Sequence, residues 1–241
     1  MAPSLAVIIL NYKRPQNIGT ITCAAREALP EAMIFVFDQA DVDTLRDRTD
    51  VDWSDVWLQR AKVNRGAGAR VPLAARLPFD QYIAIDDDTF LTPAQIARLA
   101  EHLRDEPDRA HGICGERLEL NEGLIRFRTS MARIDAPLSN LNQVYAFSRS
   151  QAAAAIDLSA RIGFTSWQDL GVGNDILLSC ASAKPPLCHD LGAIEECPTN
   201  NQPGIAVWRS DGFRERRAEL ARNLVAAGAI AVFSPLAYRQ E

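Results

Sequence analysis

The sequence lacks a long hydrophobic run, a basic surplus and any closely paired cysteines. The longest early apolar run, Leu5 to Leu10, is far shorter than the ~20 residues a membrane-spanning helix needs. No basic residue precedes it and no small-residue cleavage site follows, so it reads as a buried strand rather than a signal peptide. The expected location is cytoplasmic, with any membrane contact peripheral. Lys and Arg total 26 against 31 Asp and Glu, a net charge of −5. Such a chain has no cationic excess with which to coat nucleic acid or anionic lipid. The five cysteines, Cys23, Cys114, Cys180, Cys188 and Cys197, are widely spaced and form no C-x-x-C pair, which argues against a structural zinc site and for free thiols. No internal repeat or low-complexity linker is present. What remains is ordinary globular usage, 47% hydrophobic and 24% charged over 241 residues, enough to bury a sizeable core.

The apolar pattern alternates between strand and helix. Leu5 to Leu10 is a continuous run, as in a strand covered on both faces. A helix over Gln16 to Ala28 follows, then strands at Met33 to Phe37 and Val56 to Leu58. A helix over Ala67 to Leu77 is interrupted near Pro72, and Tyr82 to Ile85 is another buried strand. Thr92 caps a helix with Pro93 at its first position, running to about Leu103. This βαβα order predicts an α/β fold with a mostly parallel central sheet flanked by helices. The second half holds short strand-like pieces over 113–128 and a strand at Val144 to Phe147. An Ala-rich helix capped by Ser148 or Ser150 follows, then a helix over Asn174 to Ala183 and a charged helix over Asp211 to Ala227. The chain reads as one domain, with residues 1–90 and 91–241 as its two halves.

Chemistry concentrates behind the strand Q-Y-I-A-I, where Asp86, Asp87 and Asp88 follow in succession. Ligands collect at the carboxyl ends of strands in open parallel sheets. Three adjacent carboxylates repel one another, and a hard cation such as Mg²⁺ or Mn²⁺ would hold them ionised together with substrate phosphates. The plainer alternative is a solvated acidic turn ahead of the Thr92 helix. Two loops share that edge. Asn11-Tyr12-Lys13-Arg14-Pro15 ends the first strand, and its side chains suit a base edge or a phosphate, or simply a polar turn. Asn64-Arg65-Gly66-Ala67-Gly68-Ala69-Arg70 offers small residues for close backbone approach and two arginines for a diphosphate, or simply a flexible helix entry.

In this order, N-Y-K-R-P, the Asn64 to Arg70 segment and Y-I-A-I-D-D-D-T resemble the nucleotide-sugar half of glycosyltransferases with the GT-A fold, the triplet standing where those enzymes carry D-x-D. Later, Gly173-Asn174-Asp175-Ile176 followed by Lys184-Pro185-Pro186, and Phe213-Arg214-Glu215-Arg216, resemble segments of the exostosin-like enzymes of glycosyltransferase family 64. The Asn64 to Arg70 spacing is closer to the broad inverting family 2. Asn174 stands where an acidic residue is usual, and the family's disulfide is missing.

The resemblance implies a metal-dependent transfer of a sugar from a UDP-sugar, with UDP-N-acetylhexosamine a candidate, to a glycan or other hydroxyl acceptor, with retention. It places Asn11, Arg14, Asn64 and Arg70 on the nucleotide and its phosphates. Asp38, or its neighbour Gln39, falls at the base. Asp86 would face the ribose and metal, Asp87 the donor sugar, and Asp88 the metal. Asp175 would lie beside the reacting centre and Arg216 on the leaving diphosphate. Asp175 and Asp87 are thus the catalytic candidates, and Asp86, Asp88 and His189 the metal candidates; a packed His189 is the alternative. A homodimer is compatible with the sequence. The competing readings are an inverting family 2-like enzyme, a nucleotidyltransferase and a non-catalytic binding module. Nucleotidyltransferases of this fold usually carry a G-x-G-x-R loop after the first strand, where this chain has N-Y-K-R-P.

Overall fold

The computed structural model describes residues 3–40, 45–121, 124–128, 131–182, 184–201 and 204–231. The first half runs β1 (Leu5–Asn11), α1 (Ile18–Ala28), β2 (Met33–Asp38), β3 (Val56–Arg60), α2 (Arg70–Arg76), β4 (Gln81–Asp86), β5 (Thr89–Phe90) and α3 (Pro93–Asp105). The second half opens with short strands: β6 (His111–Gly112), β7 (Cys114–Glu116), β8 (Leu118–Asn121), β9 (Leu124–Phe127), β10 (Met131–Ala132), β11 (Ala136–Pro137), β12 (Asn140–Leu141) and β13 (Val144–Ser148). It closes with α4 (Arg149–Arg161), α5 (Trp167–Ser179), β14 (Leu187–Cys188), β15 (Glu195–Glu196) and α6 (Phe213–Ala226).

Eight strands form one sheet in the order β11-β14-β6-β13-β4-β1-β2-β3. The pairs β1–β2, β1–β4 and β2–β3 are parallel, and β13 lies antiparallel between β4 and β6. Alternation along each strand divides the core in two. Ala6, Ile8 and Leu10 of β1 face the layer of α2, α4, α5 and α6, with Val71, Leu158, Ile176 and Leu220. Val7 and Ile9 face α1 and α3, with Ile21, Ile96 and Leu99. Both faces are covered, so these strands read as continuous apolar runs.

The helix starts follow local chemistry. Thr92 and Ser148 each complete a capping box, with Gln95 and Gln151, which settles the second helix on Ser148. Each such cap contributes roughly 0.5–2 kcal/mol. Pro72 falls in the first turn of α2, where a missing N–H is tolerated, after a short 3-10 turn over Ala67–Ala69. One boundary differs from the sequence reading. The helix expected from Asn174 starts at Trp167, where Ser166 and Asp169 form a capping box. Gly171 and Gly173 argue against helix by propensity. Packing overrides that cost: a Cβ on Gly173 would lie 2.2 Å from Leu220 Cδ2. Asp175 therefore sits inside a helix.

Candidate active site

Four strand ends assemble the site. Register sets Asn11 opposite Asp38, and Leu10 opposite Asp86, so the ends of β1, β2 and β4 share one edge. Asn11 Nδ2 donates to Asp38 Oδ1 at 2.7 Å, and both residues are buried. The backbone amide of Asp86 donates to the carbonyl of Gln143, ahead of β13.

The loop after β1 folds over the acidic triplet. Lys13 takes φ 63°, in the left-handed region that costs an ordinary side chain roughly 1–2 kcal/mol. Arg14 is buried and bridges two carboxylates, Asp87 Oδ1 at 2.7 Å and Asp88 Oδ2 at 3.1 Å. The Tyr12 amide donates to the other Asp87 oxygen at 2.6 Å. Asp87 thus points inward with both oxygens engaged. Burial pushes its carboxyl up to about 7; Arg14 and the Tyr12 amide hold it down, and the Asp88 charge adds to the rise. The chain returns past this loop: Cys197 N donates to Asp88 O at 2.8 Å, and Arg14 Nε donates to Thr199 Oγ1 at 2.8 Å.

Arg70 crosses from the start of α2 to pair with Asp86, its guanidinium lying 5.3 Å from the centroid of the Tyr145 ring. Burial alone would lower the Arg70 pKa; Asp86, with a further contribution from Asp175, raises it above the ordinary value. Tyr145 donates to Asn174 Oδ1 at 2.7 Å. The charge of Asp175, the next residue along α5, is felt at Arg70 and at Tyr145. Close backbone approach makes this geometry attainable: a Cβ on Gly68 would lie 2.5 Å from the carbonyl carbon of Leu170.

Beside the strand ends lies a groove of about 460 Å³, lined by Gln39, Ala40, Arg60, Ala61, Lys62, Val63 and Asn64. Between the two base candidates, Gln39 lines this groove, whereas Asp38 is turned to Asn11. Gln39 also braces the next loop, accepting from Arg65 N at 2.8 Å and donating to Gly66 O at 3.1 Å. Asn64 accepts from Gly66 N at 2.7 Å.

Two candidates pair with groups outside the acidic triplet. Arg216 is half-exposed and pairs with Asp169 and Glu219. Its neighbour Arg217 is the buried one, with Nη1 2.9 Å from both Asp175 oxygens and Nη2 2.7 Å from Glu116 Oε2. Helical spacing could have found it: Arg217, Leu220, Ala221 and Leu224 form one buried face of α6.

His189 is not brought to the acidic triplet. It packs with the chain's other two histidines at the edge of the sheet. His102 stacks on its ring at 3.7 Å, and its Nε2 lies 3.0 Å from His111 Nδ1. His111 Nε2 lies 2.8 Å from the Glu106 carbonyl, which can only accept. His111 Nδ1 is then the acceptor and His189 Nε2 the donor, so that nitrogen has no lone pair for a metal. Burial, together with His102 and His111, lowers the His189 pKa to about 4, and burial lowers that of His111 as well. A depressed histidine contributes stability above its unfolded pKa of 6.5, and that contribution is lost as pH falls through about 4. The melting temperature is expected to drop from pH 7 to pH 4.5, and less steeply in His189→Asn. Equal slopes in the two proteins would refute this coupling.

Among the described residues, no group of three or more His, Cys, Asp or Glu side chains is gathered as a metal cage. Asp86 and Asp88, one on each side of the inward-turned Asp87, instead suit Mg²⁺ or Mn²⁺ held by two carboxylates and completed by substrate phosphates. The five cysteines are free thiols. No helix among the described residues is long and apolar enough to cross a membrane.

This architecture, a large mostly parallel sheet between helix layers with an acidic loop behind its central strand, is the GT-A fold. It is similar to the crystal structure of GalNAc-T7 with UDP, GalNAc and Mn²⁺, with a TM-score of 0.58 and 12% identity over 93% of this chain and 48% of that one. It is also similar to Staphylococcus aureus TarS residues 1–349, with a TM-score of 0.53 and 11% identity over 92% of this chain and 72% of that one. A further TarS structure gives a TM-score of 0.51 and 10% identity over 82% of this chain and 37% of that one. The chain spans about half the length of the GalNAc-T7 structure. No family model matches the sequence, and no curated protein matches it.

Proposed function

We propose that this protein is a glycosyltransferase that moves a sugar from a UDP-sugar to a hydroxyl of a glycan or another acceptor. The observation that carries the reading is the acidic edge behind β4, where Arg70 pairs with Asp86 and Arg14 with Asp88, with the charge of Asp175 on α5 felt at Arg70. The GT-A fold supports it, as does a groove beside the strand ends with room for a nucleobase. The exostosin-like motifs support a UDP-N-acetylhexosamine donor and transfer with retention.

In this reading the base enters the groove beside Gln39 and Asn64. Arg70 and Arg14 keep the acidic edge close to charge balance, so an anionic diphosphate can approach. Asp86 and Asp88 would hold Mn²⁺ or Mg²⁺, which when bound supplies positive charge at the diphosphate. Arg216, solvent-facing on the first turn of α6, adds a cation for the leaving group. Asp87 is a positioning residue for the loop that carries Arg14. The bond between the anomeric carbon and the diphosphate oxygen breaks as the acceptor oxygen bonds that carbon, and the acceptor's hydroxyl proton passes to the departing diphosphate oxygen. Negative charge grows on the diphosphate, and positive charge grows on the sugar ring. Fixed charges in a closed site stabilise that separation without reorganising. Asp175 stabilises the positive ring and orients the acceptor.

The test is a thermal-shift panel of nucleoside diphosphates and UDP-sugars, with and without Mn²⁺, on the wild type and Asp88→Ala. A ligand that binds only the folded state raises the midpoint with ln(1 + [L]/Kd). A UDP-dependent shift that needs Mn²⁺ and is lost in the variant is expected. No shift with any nucleotide, from folded protein, would overturn the reading in favour of a non-catalytic module. Proton NMR of the product gives the anomeric configuration, and an inverted product would replace retention with a family 2-like mechanism.

A further inference from the structure

Asp175 shares its counter-ion. Arg217 is buried and spends one terminal nitrogen, Nη1, on both Asp175 oxygens at 2.9 Å and on the carbonyl of Val172 at 3.0 Å. Its other terminal nitrogen, Nη2, donates to Glu116 Oε2 at 2.7 Å. Glu116 ends β7, in the small sheet β10-β7-β12, and the same Oε2 accepts from Asn140 Nδ2 at 3.2 Å. Asn140 Nδ2 also donates to Asn142 Oδ1 at 2.9 Å. The Phe127 and Phe213 rings flank the guanidinium, with centroids 5.2 and 5.5 Å away.

The geometry points to Glu116 as a positioning residue that sets the orientation and charge of Asp175 through Arg217. The inference rests on the glycosyltransferase reading above. A guanidinium facing one carboxylate prefers the fork geometry, with two parallel bonds from two nitrogens to two oxygens. Here Glu116 occupies the second nitrogen, so Asp175 is held through Nη1 alone. Two carboxylates share one cation, and the triad keeps a net charge of −1. Asp175 therefore retains negative character, and its charge is felt at Arg70 and Tyr145. Without the Glu116 charge, Arg217 is free to rotate into a full fork with Asp175, neutralising it and turning it away from the site.

Glu116→Gln keeps the shape and an acceptor oxygen while removing the charge. Transfer from the UDP-sugar is expected to fall about ten- to a hundredfold in kcat. The KM for the donor and the UDP-dependent thermal shift should stay at wild-type values. Because Glu116 acts through Asp175, the double variant Glu116→Gln, Asp175→Asn is expected to be no slower than Asp175→Asn alone. A residue that merely supported the fold would give additive losses. Arg217→Lys keeps the charge but cannot bridge two carboxylates with a planar fork, and it should reproduce the kcat loss. Unchanged kcat in Glu116→Gln, or additive losses in the double variant, would overturn this role while leaving the glycosyltransferase reading intact. Wild-type protein that transfers no sugar from any UDP-sugar would overturn the reading itself, and the positioning role with it.

Discussion

Asp175→Asn is expected to slow sugar transfer by roughly 10²–10⁴-fold, the range for removing a positioned acid–base or charge-stabilising carboxylate. The substitution is nearly isosteric, so the volume in α5 is unchanged. What changes is charge: the amide no longer balances positive charge on the ring, and its NH₂ group faces Arg217. The proposed donor-binding groups Asp86, Arg70 and Asp88 lie outside α5, so UDP affinity should hold within a few-fold. Folding stability should fall only modestly, because Glu116 continues to pair with the buried Arg217 at 2.7 Å. Steady-state kinetics with a UDP-sugar, alongside UDP binding, separate these effects. Wild-type kcat in the variant would remove Asp175 from the reaction.

Arg14→Ala is expected to be the most destabilising change at the site. Arg14 joins the loop after β1, the acidic loop after β4 and the returning segment at Thr199. Removing one partner of a buried ion pair leaves an uncompensated charge and costs about 3–5 kcal/mol. For a chain of this size that lowers the melting temperature by on the order of 10 °C. The loss should depend on pH. The Asp87 carboxyl is already raised to about 7, mainly by burial and against the pull of Arg14. Without Arg14 it rises further. A raised carboxyl favours the folded state below its unfolded pKa, and that contribution is lost as pH rises through the folded value. The deficit of the variant relative to wild type should therefore grow from pH 5.5 to pH 8. Thermal melts across that range check it, and a deficit that shrinks with pH would show that Asp87 is not the group left unpaired. Arg14→Lys should fall between the two, since an ammonium keeps the charge but cannot span both carboxylates.

Much of this was legible in the sequence because local chemistry encodes it. The strands around Ile8, Val36 and Ile83 are continuous apolar runs, since helices cover both faces of the sheet. The caps at Thr92 and Ser148 follow from residue type and spacing. The acidic edge follows from the position of Asp86 to Asp88 behind a buried strand. The helix start at Trp167 was hidden by Gly171 and Gly173, whose low helix propensity is outweighed by contacts with Leu220 and with the Gly66 loop. For His189 the sequence left a metal ligand and a packed side chain both open, and its Nε2 lies against His111 Nδ1.

By itself, then, the sequence determined the layered α/β architecture and the strand end that carries the acidic triplet, because strand periodicity, caps and strand-end loops are properties of short segments. Only the tertiary structure decided which charges meet. Arg14 reaches Asp87 and Asp88 across more than 70 residues, Arg70 reaches Asp86, and Arg217 rather than Arg216 reaches Asp175 and Glu116. Pairing of buried charges depends on where whole helices pack and on which face each turns inward. One residue of helical rotation, about 100°, separates a solvent-facing arginine from one that holds the site.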